Sequence, residues 1–216
     1  MISLSLPSGP LTVVCLGAHP DDIEIGCGGT LLALAVSRQL TVDYVLMTGS
    51  ADRHQEARDA AAHFLKGAEV TFHLSDHADG RLPGRWDEVK LRLEEVARSH
   101  RADLVFAPRT DDAHQDHRLI GEMVSTVWRD ALILHYEIPK WDGDLGRVTH
   151  YVALDSTTVK QKISLLNRCF PSQLQRGWWD DETFSAILRL RGVECQTRYA
   201  EGFVVTKQVI DIGDRT

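Results

Sequence analysis

Short apolar runs alternate with stretches of helical period along nearly the whole chain. The runs at 11–18 (LTVVCLGA), 41–48 (TVDYVLMT), 69–73 (EVTFH), 103–107 (DLVFA), 132–137 (LILHYE), 149–154 (THYVAL) and 202–206 (GFVVT) are predicted strands. Between them the spacing predicts helices over 27–38, 52–65, 86–99, 116–130, 156–168 and 180–191. Strands alternating with helices imply right-handed βαβ crossovers, hence an α/β fold of Rossmann-like type: a doubly wound, mainly parallel sheet flanked by helices. No repeat or low-complexity tract interrupts the pattern. At 216 residues the chain suits one domain over 1–216, long enough to bury roughly 70% of the surface its unfolded form exposes.

In a sheet of this kind ligands bind beyond the carboxyl ends of the strands where their order reverses, expected here between the first and fourth. The segments that follow those two strands carry the unusual chemistry. After the first comes His19-Pro20-Asp21-Asp22-Ile23-Glu24-Ile25-Gly26-Cys27-Gly28-Gly29-Thr30, and after the fourth comes His114-Gln115-Asp116-His117. Pro20 fixes its own φ and disfavours helical geometry at His19, holding the turn open. His19 and Asp22 stand close enough in sequence to grip one cation, which leaves Asp21 for proton transfer. A catalytic zinc takes three protein ligands and keeps one position for water, so a further ligand is expected from the distant segment. His114 and His117, three apart at a helix start, both qualify, and spacing alone does not rank them. The glycines invite a dinucleotide reading, but G-x-G-G is not the G-x-G-x-x-G fingerprint and the carboxylate pair repels pyrophosphate. They are expected to allow close packing of turn and helix, with Glu24 bracing the turn and Cys27 facing away from the metal.

Together the two segments resemble the LmbE-like, or PIG-L, deacetylase family, through HPDD-x-E-x-G-x-G-G-T at 19–30 and H-x-D-H at 114–117. Weaker echoes are Arg53 with Glu56, Asp79-Gly80-Arg81-Leu82, Tyr136-Glu137, Gln173 and Tyr199-Ala200-Glu201-Gly202-Phe203. The resemblance implies a zinc-dependent hydrolase that removes an acyl group from the nitrogen of an N-acetylglucosamine-type conjugate. It implies zinc on His19, Asp22 and His117, with Asp21 as general base kept ionised by the helix dipole. It further implies His114 as an imidazolium stabilising the oxyanion, and Asp116 holding a histidine in orientation. Arg53 is expected to reach substrate, with an exposed ion pair to Glu56 as the alternative. Asp79 and Arg81 are expected in a loop that holds a sugar, and Glu201 is expected to pair with an arginine beneath the site.

Composition narrows the partners. A net charge of −7 with dispersed Lys and Arg argues against nucleic acid. No apolar run approaches the ~20 residues of a membrane span, and the first seven residues lack the features of a signal peptide, so a cytoplasmic protein is expected. Cys15, Cys27, Cys169 and Cys195 form no C-x-x-C pair, which argues against a disulfide framework. Trp178 and Trp179 either contact carbohydrate or anchor packing, and these two together with Trp141 and the family's habit of assembling point to a homo-oligomer. The remaining histidines sit in no ligand pattern. Two other classes compete: a phosphoesterase holding two ions about 3.5–4 Å apart, and a noncatalytic nucleotide-binding module that needs no metal.

Overall fold

The computed structural model describes residues 2–210. One seven-stranded sheet runs through it in the order β3-β2-β1-β4-β5-β7-β6. Its strands are β1 (Leu11–Gly17), β2 (Leu40–Thr48), β3 (Glu69–His77), β4 (Leu104–Pro108), β5 (Leu132–Tyr136), β6 (His150–Leu154) and β7 (Tyr199–Val204). The first five are parallel to one another, and β7 inserts antiparallel between β5 and β6. The helices are α1 (Asp22–Ser37), α2 (Ala51–Phe64), α3 (Trp86–Ser99), α4 (Gln115–Val127), α5 (Ser156–Cys169) and α6 (Asp181–Glu194). The chain order therefore reverses between β1 and β4, which pair directly, as the sequence pattern implies.

Both faces of the central strands are buried, and alternation along β1 sorts them. Leu11, Val13 and Cys15 join the core with α1, α2, α5 and α6, while Val14 and Leu16 join the core with α3 and α4. Helix caps mark several starts: Ser50 accepts from the Arg53 amide, Asp155 from Thr158 and Asp180 from Thr183.

The largest departure from the periodicity is the start of α1. It begins at Asp22 rather than at 27, so the glycines that read as a turn lie inside the helix. Close approach on three sides accounts for them. A Cβ on Gly26 would stand 2.2 Å from the Tyr136 ring, one on Gly28 2.7 Å from Phe64, and one on Gly29 2.4 Å from Leu154. Cys27, fully buried beside them, donates its thiol to the Ile23 carbonyl and faces the core.

A buried ion pair from α5 and β7 braces the same helix. Lys162 and Glu201 meet at 2.6 Å; the lysine also donates to the Ile25 carbonyl, and the carboxylate accepts from the Gly29 and Thr30 amides and the Thr30 hydroxyl. Glu201 thus pairs with a lysine and not with the expected arginine, because the arginine of that region, Arg191, is committed bidentately to Glu137. β3 runs on to His77 and β7 starts at Tyr199, both longer than their apolar stretches, since ladder pairing carries polar residues with it.

Gly26→Ala is expected to destabilise the fold by about 1–3 kcal/mol, because the Tyr136 ring is pinned by its hydroxyl bond to the Leu16 carbonyl. Gly84→Ala, with nothing near its Cβ position, is expected to stay within about 0.5 kcal/mol of the parent. Urea unfolding midpoints compare the two; equal midpoints contradict the packing account.

Candidate metal centre

β1 ends at Gly17, and the next residues are folded back by one carboxylate. Asp22 Oδ2 accepts from the backbone amides of Ala18 and His19, both at 2.8 Å, fixing the position of the His19 ring. Asp21, between them in the turn, has φ 112° and ψ −26°, a left-handed conformation that costs a non-glycine residue on the order of 1–3 kcal/mol. From the other side of the switch point, β4 leads through a short loop to α4, whose first turn carries His117.

The two segments converge. His19 Nδ1 lies 3.1 Å from His117 Nε2, His117 Nε2 lies 3.3 Å from Asp22 Oδ2, and His19 Nδ1 lies 3.5 Å from that same oxygen. Ligands bound at about 2.0–2.1 Å in a tetrahedron stand about 3.3–3.4 Å apart, so these three atoms form one face of such a site. At 3.1 Å the two facing nitrogens accommodate one proton between them, and a divalent ion takes that proton's place. The surrounding charge favours a cation. Burial alone would lower the His117 pKa, but Asp22 and Asp112 raise it to about 9, and burial of His19 is likewise outweighed by Asp22, Asp116 and Asp79. Asp22 in turn is held well below the usual carboxylate range by His117 and His19 despite its burial. The residues present therefore fit a divalent metal. The ligand atoms of His19, His114 and His117, and those of His19, Asp79, His114 and Asp116, also gather within 4.8 Å, while His19 Nδ1, Asp22 Oδ2 and His117 Nε2 lie 3.1–3.5 Å apart.

Each ligand is held from behind. His19 Nε2 bonds Asp79 Oδ1 at 2.8 Å, and Asp112 Oδ1 lies 3.1 Å from His117 Nδ1, though off the line of a hydrogen bond. Asp116, fully buried, accepts from the amides of Gly80 and Leu82 at 2.7 and 3.1 Å and stands 3.6 Å from His19 Nε2. Its first task is thus to clamp the 78–82 loop beside His19. Asp79 is spent on the same imidazole, and Arg81 lies outside the crevice, in an adjoining open groove of about 930 Å³ with Arg85 and Gln115.

The crevice itself, of about 380 Å³, is lined by the three ligands together with Asp21, Arg53, Asp79, His114, Gln173 and a wall from the loops after β5 and α5. Arg53 bonds Asp21 Oδ2 at 3.0 Å and Ser172 Oγ at 3.1 Å, and donates to the Pro20 carbonyl. The pair with Glu56 forms at 3.2 Å, but it is a strut rather than a solvated contact, since Glu56 also accepts from Ser172. Burial pushes the Asp21 carboxyl up to about 7 against the pull of Arg53, so burial and not the helix dipole dominates. Burial and the neighbouring His117 and His19 lower the His114 pKa, a shift that works against the imidazolium the resemblance implies. Its Nδ1 caps α4 by accepting from the Asp116 amide at 3.3 Å, which places the proton of the neutral ring on Nε2.

Sequence reasoning missed Asp112 and Lys140. Asp112 stands two residues before His114, and Lys140 follows the carboxyl end of β5, so nearness to the motif and to strand ends is the signal available. The tryptophans divide. Trp179 is buried against Phe170 and Phe184 with its indole N–H on Asn167, whereas Trp178 and the 71% exposed Trp141 line the crevice. Glu24 braces α1 against β2 through the Tyr44 hydroxyl at 2.8 Å, and burial raises its pKa to about 8.

Both the sequence and the fold match known proteins. Residues 14–128 match the family model PIG-L, described as GlcNAc-PI de-N-acetylase. A protein of Escherichia coli strain K12 described as uncharacterized deacetylase YaiS is 32% identical over 161 residues, covering 68% of this chain and 85% of that one. The diacetylchitobiose deacetylase of Thermococcus kodakarensis is 32% identical over 124 residues, covering 50% of this chain and 46% of its own length. Among solved structures, the conserved protein TT1542 from Thermus thermophilus superposes with a TM-score of 0.72 at 23% identity, covering 94% of this chain and 97% of that one.

Titration of the metal-stripped protein with a divalent ion is expected to show one site per chain. His117→Ala and Asp22→Ala are expected to lose it, while His114→Ala keeps it; loss in His114→Ala with retention in His117→Ala reverses the assignment.

Proposed function

The chain belongs to the PIG-L family, and from that membership and the crevice we propose a zinc-dependent hydrolase that removes an acetyl group from the amine of an N-acetylglucosamine-type conjugate. The observation that carries the reading is the closure of His19 Nδ1, Asp22 Oδ2 and His117 Nε2 to 3.1–3.5 Å beside a buried carboxyl whose pKa lies at about 7. Two imidazoles and one carboxylate are a catalytic zinc donor set with one position left open. A divalent ion held there supplies Lewis acidity, polarising an amide carbonyl and acidifying water toward a pKa of about 7.

The chain's own groups supply the proton traffic. Asp21, which lines the crevice, accepts the proton of the attacking water, and Arg53 anchors its Oδ2. A pKa near the working pH suits a group that must first take a proton and then return it. His114 Nε2–H donates to the carbonyl oxygen as it gains charge, a role a neutral ring performs without a proton transfer of its own. Asp21 then hands its proton to the amine nitrogen as the C–N bond breaks, giving acetate and a free amino sugar. Trp141 and Trp178 offer apolar faces for the pyranose ring.

A two-ion phosphoesterase is disfavoured because the family model that the chain matches is described as a de-N-acetylase. A nucleotide module is disfavoured because Asp21, Asp22 and Glu24 crowd the start of α1, where a phosphate would need positive potential. Among the described residues no helix is long and apolar enough to cross a membrane. The four free cysteines, three of them buried, suit the reducing cytoplasm.

A panel of N-acetylated glycosides assayed for free amine is expected to yield at least one substrate. Asp21→Asn is expected to lower its turnover by about 10²- to 10⁴-fold while metal stays bound; a near-normal rate overturns the base assignment. Because Arg53 lowers the Asp21 pKa, Arg53→Met is expected to move the acid limb of the kcat/KM profile to higher pH, where more alkali is needed to free the base. An unmoved limb contradicts the role given to that pair.

A further inference from the structure

The loop after β5 reaches the metal centre through one side chain. Lys140, 10% exposed at its side chain, stands between two carboxylates, 2.9 Å from Asp112 Oδ1 and 2.8 Å from Asp144 Oδ2. Asp112 Oδ1 is also the atom that lies 3.1 Å from His117 Nδ1 and that accepts from the His114 amide at 2.8 Å. Asp144 Oδ2 accepts from the Ala113 amide at 2.7 Å, so the two carboxylates that the ammonium joins both accept from the backbone that carries the two histidines. Lys140 also lines the crevice.

We propose that Lys140 is a positioning residue for the metal centre, holding the Asp112 carboxylate against Nδ1 of His117 and thereby directing Nε2 toward the ion. The proposal rests on the reading that His19, Asp22 and His117 hold a divalent metal, and it assigns a cation that neither the motif pattern nor the family match singles out. The physical reason is charge placement. Asp112 is buried beside Asp144, and two carboxylates that share one crowded site repel each other unless a cation lies between them. Without the ammonium, Asp112 is free to turn away, and His117 loses the carboxylate that faces its Nδ1 at 3.1 Å and favours its ring angle. The loop that forms one wall of the substrate crevice and the ligand that holds the metal are then joined by a single side chain.

The test uses the full chain, stripped of metal and titrated with zinc against a chromophoric chelator, with thermal melting to verify folding. Lys140→Met is expected to bind zinc about 10- to 100-fold more weakly and to change the visible bands of the cobalt(II)-loaded protein, with Lys140→Arg restoring both. Asp112→Asn is expected to show a loss of similar size, and adding Lys140→Met to it is expected to cost nothing further, since both act through one contact. Unchanged zinc affinity and cobalt bands in Lys140→Met, additive losses in the double variant, or unchanged affinity in Asp112→Asn each overturn the proposal. Should Lys140→Met fail to fold, Asp112→Asn and Lys140→Arg still decide it. Failure of the underlying reading looks different: the parent protein itself would then bind no zinc that His117→Ala abolishes.

Discussion

The pairing of β1 with β4 is the constraint on which the rest depends. It is set by the register Val13–Leu104, Val14–Val105 and Cys15–Phe106, which brings the carboxyl ends of two parallel strands side by side where the chain order reverses. Everything beyond those ends inherits its position from that ladder. His19 and Asp22 arrive from one strand and His117 from the other, and their donor atoms meet within 3.5 Å. Neither segment alone has more than part of a coordination sphere.

Holding such a site requires the fold to absorb unfavourable terms. Asp21, Asp22, Asp112 and Asp116 are all buried around a few imidazoles, an arrangement that favours a bound cation. Asp21 keeps a left-handed backbone that brings its carboxylate into the crevice, and the surrounding structure overdetermines it: Asp22 ties down the residues before it, Arg53 the Pro20 carbonyl and the Asp21 oxygen. Behind them α1 packs unusually close to the sheet, with glycines against Tyr136, Phe64 and Leu154 and the Lys162–Glu201 pair bound to its backbone. The metal centre thus stands on a rigid helix at close quarters with the sheet, and the strain at Asp21 is confined to one residue.

Much of this is legible in the sequence. The seven apolar runs correspond to the seven strands, and the six periodic stretches to the six long helices, because burial on both faces leaves an unmistakable apolar signature in β1, β2, β4 and β5. Convergence of the two histidine-bearing segments follows from the switch-point rule. What was not legible depends on contacts between distant residues. The glycines read as a turn because nothing local says that Tyr136 will lie against Gly26. The ion pair of Glu201 with Lys162, the bond from Asp79 to His19, and the link from Lys140 to Asp112 join residues from different elements, and no local pattern announces them. The lowered pKa of His114 likewise comes from burial and from neighbouring imidazoles, which are products of the fold.

One divalent ion held jointly by the segments after β1 and β4 is open to direct observation by anomalous diffraction at the zinc edge, from crystals of the full chain grown with zinc. One strong peak per chain is expected within bonding distance of His19 Nδ1, Asp22 Oδ2 and His117 Nε2. A peak centred instead among Asp79, His114 and Asp116, or none at the switch point, overturns the shared site.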